Sequence, residues 1–218
     1  MCLVVANEQT SGRGRLKRPW YTPRDSALAF SLILRPRPAE EAHPSLLTGL
    51  LALALADSLK SLRLLVAIKW PNDVLVYGKK VTGILVESTW SGEVPDTFVL
   101  GMGVNVTPAS IPPAHLLQYP ATSIESACGG QVQREALLDD ILQGVIAWRP
   151  KLGTERFLKT WEAQLAYRGQ PVRIETGQGT AVLGILLGLD SEGGLKLQDE
   201  NGESMTVQYG DVHLRQVP

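Results

Sequence analysis

Apolar positions change their period twice along this 218-residue chain. The stretch "CLVVA" (2–6) reads as a buried strand, and "SALAFSLILR" (26–35) as a core strand stopped by "RPRP". From Pro44 to about Leu64 the leucines recur at helical spacing, with Asp57 and Lys60 on a wetter face. This predicts a long, mostly buried helix. "LLVAIKW" (64–70) reads as a strand stopped by Pro71, and "PND" as a turn. "VLVYGKKVTGILVES" (74–88) reads as a hairpin joined at Gly78 and Lys79. "DTFVLGMGVNV" (96–106) is a further strand whose glycines admit close approach. After the irregular "SIPPAHLLQYPATS", Leu137, Leu138, Ile141, Leu142, Val145 and Ile146 mark one helix. Phe157, Leu158, Trp161 and Leu165 mark another, opened by a Thr154 cap.

Beyond Tyr167 the texture becomes short strands parted by glycine and acidic turns, the pattern of a small all-β barrel or sandwich. The expected organisation is α+β over 1–167, a mixed sheet with packed helices, followed by a β module over 168–218. A formal net charge of −1 argues against nucleic-acid binding by bulk charge. Cys2 and Cys128 lie far apart and show no CxxC spacing, which argues against a zinc site or disulfide scaffold. The most apolar run, "PSLLTGLLALALA" (44–56), is too short for a membrane span, and no signal-peptide pattern leads the chain. A cytoplasmic protein is expected.

Against that neutral background, "TSGRGRLKRPW" (10–20) gathers Arg13, Arg15, Lys17 and Arg18 within six residues. Its two glycines free the backbone to fold around a ligand, its arginines offer charged forks to carboxylate or phosphate, and Trp20 offers a flat face. A nucleotide satisfies all three, and so does a nucleic acid. The loop lacks the glycine spacing of a Walker or dinucleotide motif. Taken alone, "KWPND" (69–73) reads as an Asx turn and "GMGVN" (101–105) as packing glycines. His43, His115 and His213 read as surface or capping residues, and Trp90, Trp148 and Trp161 as core or packing residues.

In their order and intervals "SGRGR", "KWPND", "KKVTGILVES", "GMGVN" and "ATSIES" (121–126) resemble the catalytic domain of biotin protein ligases. The module ending in "GDVHLR" is similar to their C-terminal SH3-like barrel. The resemblance implies an enzyme that joins biotin to ATP as biotinyl-5′-AMP, then passes biotin to a lysine of a biotin carboxyl carrier domain. Mg²⁺ would accompany ATP, with no metal ligands assigned. Arg13, Arg15, Asp73 and Lys80 would be catalytic. Gln9, Gly12, Arg13, Lys80, Gly83, Leu85, Gly101 and Gly103 would hold biotin, while Arg15, Trp20, Lys69, Asn72 and Asn105 would hold ATP. In the family loop GRGR is more often followed by Arg-Gly-Arg, whereas Leu16 and Lys17 take the first two of those places here.

The resemblance also implies pairing into a homodimer through the catalytic sheet. A Ser-Thr-Asn element that the family carries ahead of "CLVVA" is expected to be missing, as is any DNA-binding domain, so a monofunctional enzyme is expected. Two other readings stay open at this point: a lipoate–protein ligase-like enzyme, and a non-catalytic ligand-binding homologue.

Overall fold

The computed structural model describes residues 1–117, 119–176 and 181–214, the side chain of Leu214 excepted. Its first sheet comprises β1 (Cys2–Ala6), β2 (Ala27–Leu34), β3 (Val66–Lys69), β4 (Asp73–Val76), β5 (Lys79–Ser91) and β6 (Val94–Asn105). They lie in the order β1-β2-β6-β5-β4-β3, every pairing antiparallel. Helices α1 (Pro38–Ala42) and α2 (Leu47–Ser61) connect β2 to β3. Helices α3 (Ile124–Cys128), α4 (Arg134–Trp148) and α5 (Glu155–Ala163) follow β6.

Helix α2 is the centre of the core. It packs on the sheet through β3 to β6 and is covered by α4 and α5. Leu47, Leu50, Leu51, Leu53, Leu55 and Leu59 have no exposed surface, each worth about 1.5–3 kcal/mol of burial. The close crossing with α4 depends on Gly144, where a Cβ would stand 2.9 Å from the Cα of Ala54. Both α3 and α5 are capped at their N-termini, by the hydroxyls of Ser123 and Thr154.

Several sequence expectations need correction. Strand β1 is an edge strand, and Leu3, Val4 and Val5 are exposed because no element among the described residues covers it. The β4–β5 turn is Tyr77–Gly78, with φ of 49° and 74°, one residue earlier than expected. Ile146 falls on the outer side of α4, and Trp90 lies half exposed near the β5–β6 turn, with its indole N–H donating to Ser88. Trp148 and Trp161 are buried, as expected.

The second sheet comprises β7 (Pro171–Glu175), β8 (Ala181–Leu189), β9 (Leu195–Gln198), β10 (Ser204–Val207) and β11 (Asp211–Leu214), in the order β10-β9-β8-β7-β11. Among the described residues it is open: β10 and β11 stand at opposite edges and the expected barrel does not close. Arg215 of "GDVHLR" lies outside the described residues. The Trp70 indole donates to Gly193 O at 2.9 Å, and Glu162 accepts from Leu189 N–H at 3.0 Å and pairs with Arg168 at 2.7 Å. His43 meets Glu192 at 3.1 Å. These contacts seat the second sheet on the first and bring β11 to the mouth of the site.

Candidate active site

Strand register assembles the floor of the site. Ala6, Ala29, Gly103, Gly83, Asp73 and Lys69 are successive cross-strand partners, one row running through all six strands. Val4, Ser31, Gly101 and Leu85 form a parallel row two residues away. By strand alternation both rows face the side opposite α2. A bulge between Val74 and Leu75 on β4 leaves Val81 unpaired on β5. Val81 and Thr82 both turn inward, with no exposed surface, and Lys80 swings back to the side of Asp73. Lys80 Nζ then lies 2.7 Å from Asp73 Oδ1, an ion pair in which that buried oxygen takes no hydrogen bond among the described residues.

A cavity of about 790 Å³ lies over this floor. It is lined by Gln9, Arg13, Arg15, Trp20, Lys69, Asn72, Asp73, Lys80, Gly83, Leu85, Gly101, Gly103 and Asn105, all the expected site residues except Gly12. Gly12 shapes the loop from behind: its carbonyl accepts from Trp20 N–H at 2.9 Å, and a Cβ there would stand 2.5 Å from the Trp20 oxygen. The Trp20 indole rests on the floor, where a Cβ at Gly103 would collide with it and one at Gly83 would stand 3.2 Å away. Its Nε1 is buried without an acceptor among the described residues. Gln9 is held by the Thr22 hydroxyl, which donates to its Oε1 at 2.9 Å.

The loop is pinned by charge. Arg15 Nη1 donates to Asn72 Oδ1 (3.3 Å), Gly210 O (3.4 Å) and Asp211 Oδ1 (3.4 Å), and Arg18 pairs with Asp211 Oδ2 at 2.7 Å. Arg13 reaches Glu87, at 3.9 Å on the rim. Between the two pinned arginines, Leu16 and Lys17 hold φ of 55° and 59°. Each costs about 1–2 kcal/mol as a non-glycine residue in the left-handed region. Asn72 also donates to Ile84 O at 2.9 Å, and Asn105, 3% exposed, donates to Thr122 O at 3.3 Å.

Burial opposes the charge of Asp211. The hydrogen bond and charge of Arg18, with Arg15 and Lys69, outweigh it and hold the carboxyl below its usual range. Burial likewise lowers the pKa of Lys69, against Asp73 and Asp211, which raise it. Arg18, Tyr119 and Asp211 line the cavity without having been expected there. Arg18 carried a signal, its place in the basic loop. Asp211 carried none, because it meets Arg15 across 196 positions of chain.

Residues 2–105 match the Biotin/lipoate A/B protein ligase family and residues 168–215 the Biotin protein ligase C terminal domain. A biotin–[acetyl-CoA-carboxylase] ligase of Paracoccus denitrificans is 37% identical over 213 residues, 93% of this chain and 86% of that protein. The chain belongs to the biotin protein ligase family. Among its fellow members, the bifunctional ligase/repressor BirA of Bacillus subtilis is 34% identical over 218 residues, 97% of this chain and 66% of that one. The family likeness extends to three dimensions. The biotin protein ligase of Aquifex aeolicus, in complex with biotin and ATP, superposes with a TM-score of 0.82 at 29% identity. That match covers 99% of this chain and 89% of the Aquifex ligase.

Proposed function

We infer that this chain is an ATP-dependent biotin–protein ligase. The biotin carboxylate attacks the α-phosphate of ATP, expelling pyrophosphate and forming biotinyl-5′-AMP. A lysine amine of a biotin carboxyl carrier domain then attacks the acyl carbon, giving the amide and AMP. The observation that carries this reading is the row Gly103–Gly83–Asp73–Lys69, with Lys80 swung onto it, beneath a loop of arginines. It places a small neutral floor beside a dense cationic field. A compact bicyclic acid and a nucleotide need those two surfaces side by side.

In this reading Gly83, Gly101 and Gly103 leave room for the biotin rings, Leu85 walls them, and Gln9 and Gly12 shape the loop beside them. Lys80 bridges the biotin carboxylate and the α-phosphate, where its compact ammonium meets the charge that develops in the transition state. Arg13 and Arg15 neutralise the carboxylate and phosphates, and the loop shields the adenylate from water. Trp20, Lys69, Asn72 and Asn105 bind the nucleotide. As Lys80 moves to the anionic adenylate, Asp73 becomes free to orient the carrier amine and accept its proton.

Mg²⁺ enters with ATP as the phosphates' counter-ion. Asp73 and Asp211 are both engaged by cations, and no group of three His, Cys, Asp or Glu side chains among the described residues suits a metal. No described helix is long and apolar enough to cross a membrane. We place the enzyme in the cytoplasm, with residues 1–167 as catalytic domain and 168–218 as C-terminal domain. We further propose a homodimer, which light scattering would detect.

The test is biotin transfer by the purified chain to the carrier domain of acetyl-CoA carboxylase, read as a mass increase on one lysine. Biotin but not lipoate should be transferred, and only with Mg-ATP. Transfer of lipoate instead would favour the sister activity, and neither would favour a binding homologue.

A further inference from the structure

Residues 106–117 and 119–123 lie between β6 and α3, beside the cavity. Lys80 N–H donates to Pro120 O at 2.8 Å, and Thr122 N–H donates to Lys80 O at 2.9 Å. This segment is thus fastened to the main chain of the lysine at the centre of the site. The fastening sets Tyr119 in the cavity wall, with Lys69 Nζ over its ring, 5.0 Å from the centroid. At the other end the Tyr119 phenol is hydrogen-bonded to the phenol of Tyr167, which stands at the junction with the second sheet. Lys69 itself is 7% exposed. Its neighbouring carboxylates already serve other cations: Asp73 pairs with Lys80, and Asp211 with Arg15 and Arg18. An ammonium so placed gains from the negative face of an aromatic ring.

We propose that Tyr119, tethered by Tyr167, is a positioning residue for the nucleotide, its ring holding the Lys69 ammonium charged and turned into the cavity where the phosphates arrive. The proposal rests on the ligase reading above. It ties the seating of the C-terminal sheet to the charge of a side chain inside the site.

Groups from every side face Lys69. Burial lowers its pKa most; Asp73 on β4 and Asp211 on β11 raise it, while Lys80 on β5 and Arg18 on the loop lower it. The Tyr119 ring acts in the same sense as the two aspartates. Without it burial and the two cations are less opposed, so Lys69 sheds its proton at a lower pH. The Tyr167 phenol is held protonated by burial and then by Tyr119, and it stays a neutral tether across the working range.

The experiment measures KM for ATP and for biotin in pyrophosphate release, from neutral to alkaline pH. Tyr119→Leu should raise KM for ATP roughly three- to thirtyfold. KM for biotin should hold, and the alkaline loss of ATP affinity should begin at lower pH than in wild type. Tyr119→Phe keeps the ring and loses the tether, as does Tyr167→Phe from the other end. Each should give a smaller rise, and the double variant no more than either, because one contact is removed.

A folded Tyr119→Leu with wild-type KM for ATP and an unmoved pH profile overturns the proposal, and so does Tyr119→Phe as impaired as Tyr119→Leu. If Tyr119→Leu does not fold, the two Phe variants decide: equal rises for ATP alone support the tether, and no rise in either overturns it. A wild-type chain that releases no pyrophosphate overturns the ligase reading and this inference together. An active wild type beside indifferent variants overturns this inference alone.

Discussion

The floor of the cavity and the loop above it are held in different ways. Gly83 and Gly103 sit on paired strands whose main-chain hydrogen bonds repeat through the sheet, and nothing charged is needed to keep them flat. The loop of residues 9–22 is closed by its own main-chain bridges, Gln9 with Thr22 and Arg13 with Pro19, and is tied to the second sheet by the charges of Arg15 and Arg18 on Asp211. Salt and pH act weakly on the first and strongly on the second.

Lys80 and Asp73 stand where the two regions meet, so their variants should have the largest effects. Asp73→Asn should lower transfer from supplied biotinyl-5′-AMP by roughly 10²–10⁴-fold while biotin-dependent pyrophosphate release persists. Equal loss of both half-reactions would remove Asp73 from the role of base. Lys80→Ala should lower pyrophosphate release by roughly 10²–10³-fold, and a variant as fast as wild type would exclude that lysine from the phosphate. Gly103→Ala tests the floor where Trp20 of the loop rests on it. Its Cβ would collide with Trp20, raising KM for biotin about tenfold and, through the displaced indole, KM for ATP as well, at every salt concentration. An increase confined to high salt would mean that the floor depends on charge after all.

Asp211→Asn tests the loop and should have the smallest effect, about a two- to fivefold rise in KM for ATP at low salt. Raising the salt should bring wild type toward the variant. The pH dependence has a definite sign, because the Asp211 carboxyl is held below its usual range in the folded chain. The ion pairs therefore stabilise the loop in its observed position above the ordinary carboxylate pKa, and that contribution disappears as the pH falls through the lowered value. Protease nicking of the loop that is the same on both sides of that range would contradict the pairing.

The contrast also separates what was legible in the sequence from what was not. Of the motifs only "GRGR" announces a chemistry by residue type, an affinity for anions; "KWPND", Lys80 and "GMGVN" gain an expected role only from their order, which resembles a family. That Gly103, Gly83, Asp73 and Lys69 fall in one row is a matter of register, and Lys80 joins them because of one bulge. A sequence does not print the hydrogen-bond pattern that makes a bulge. The leucine period of α2 predicted a buried helix correctly. The equally apolar "CLVVA" did not make a buried strand, since burial depends on what covers an edge. Asp211 and Tyr167 reach the neighbourhood of the site through the seating of the second sheet, and nothing in the residues nearest them marks that reach.

The most direct measurement is pyrophosphate release by the wild-type chain with Mg-ATP, in the presence and absence of biotin. A ligase of the kind inferred here releases pyrophosphate only when biotin is added and leaves biotinyl-5′-AMP bound. Folded protein that releases none, or releases it equally without biotin, would contradict the assignment of this cavity to biotin adenylation.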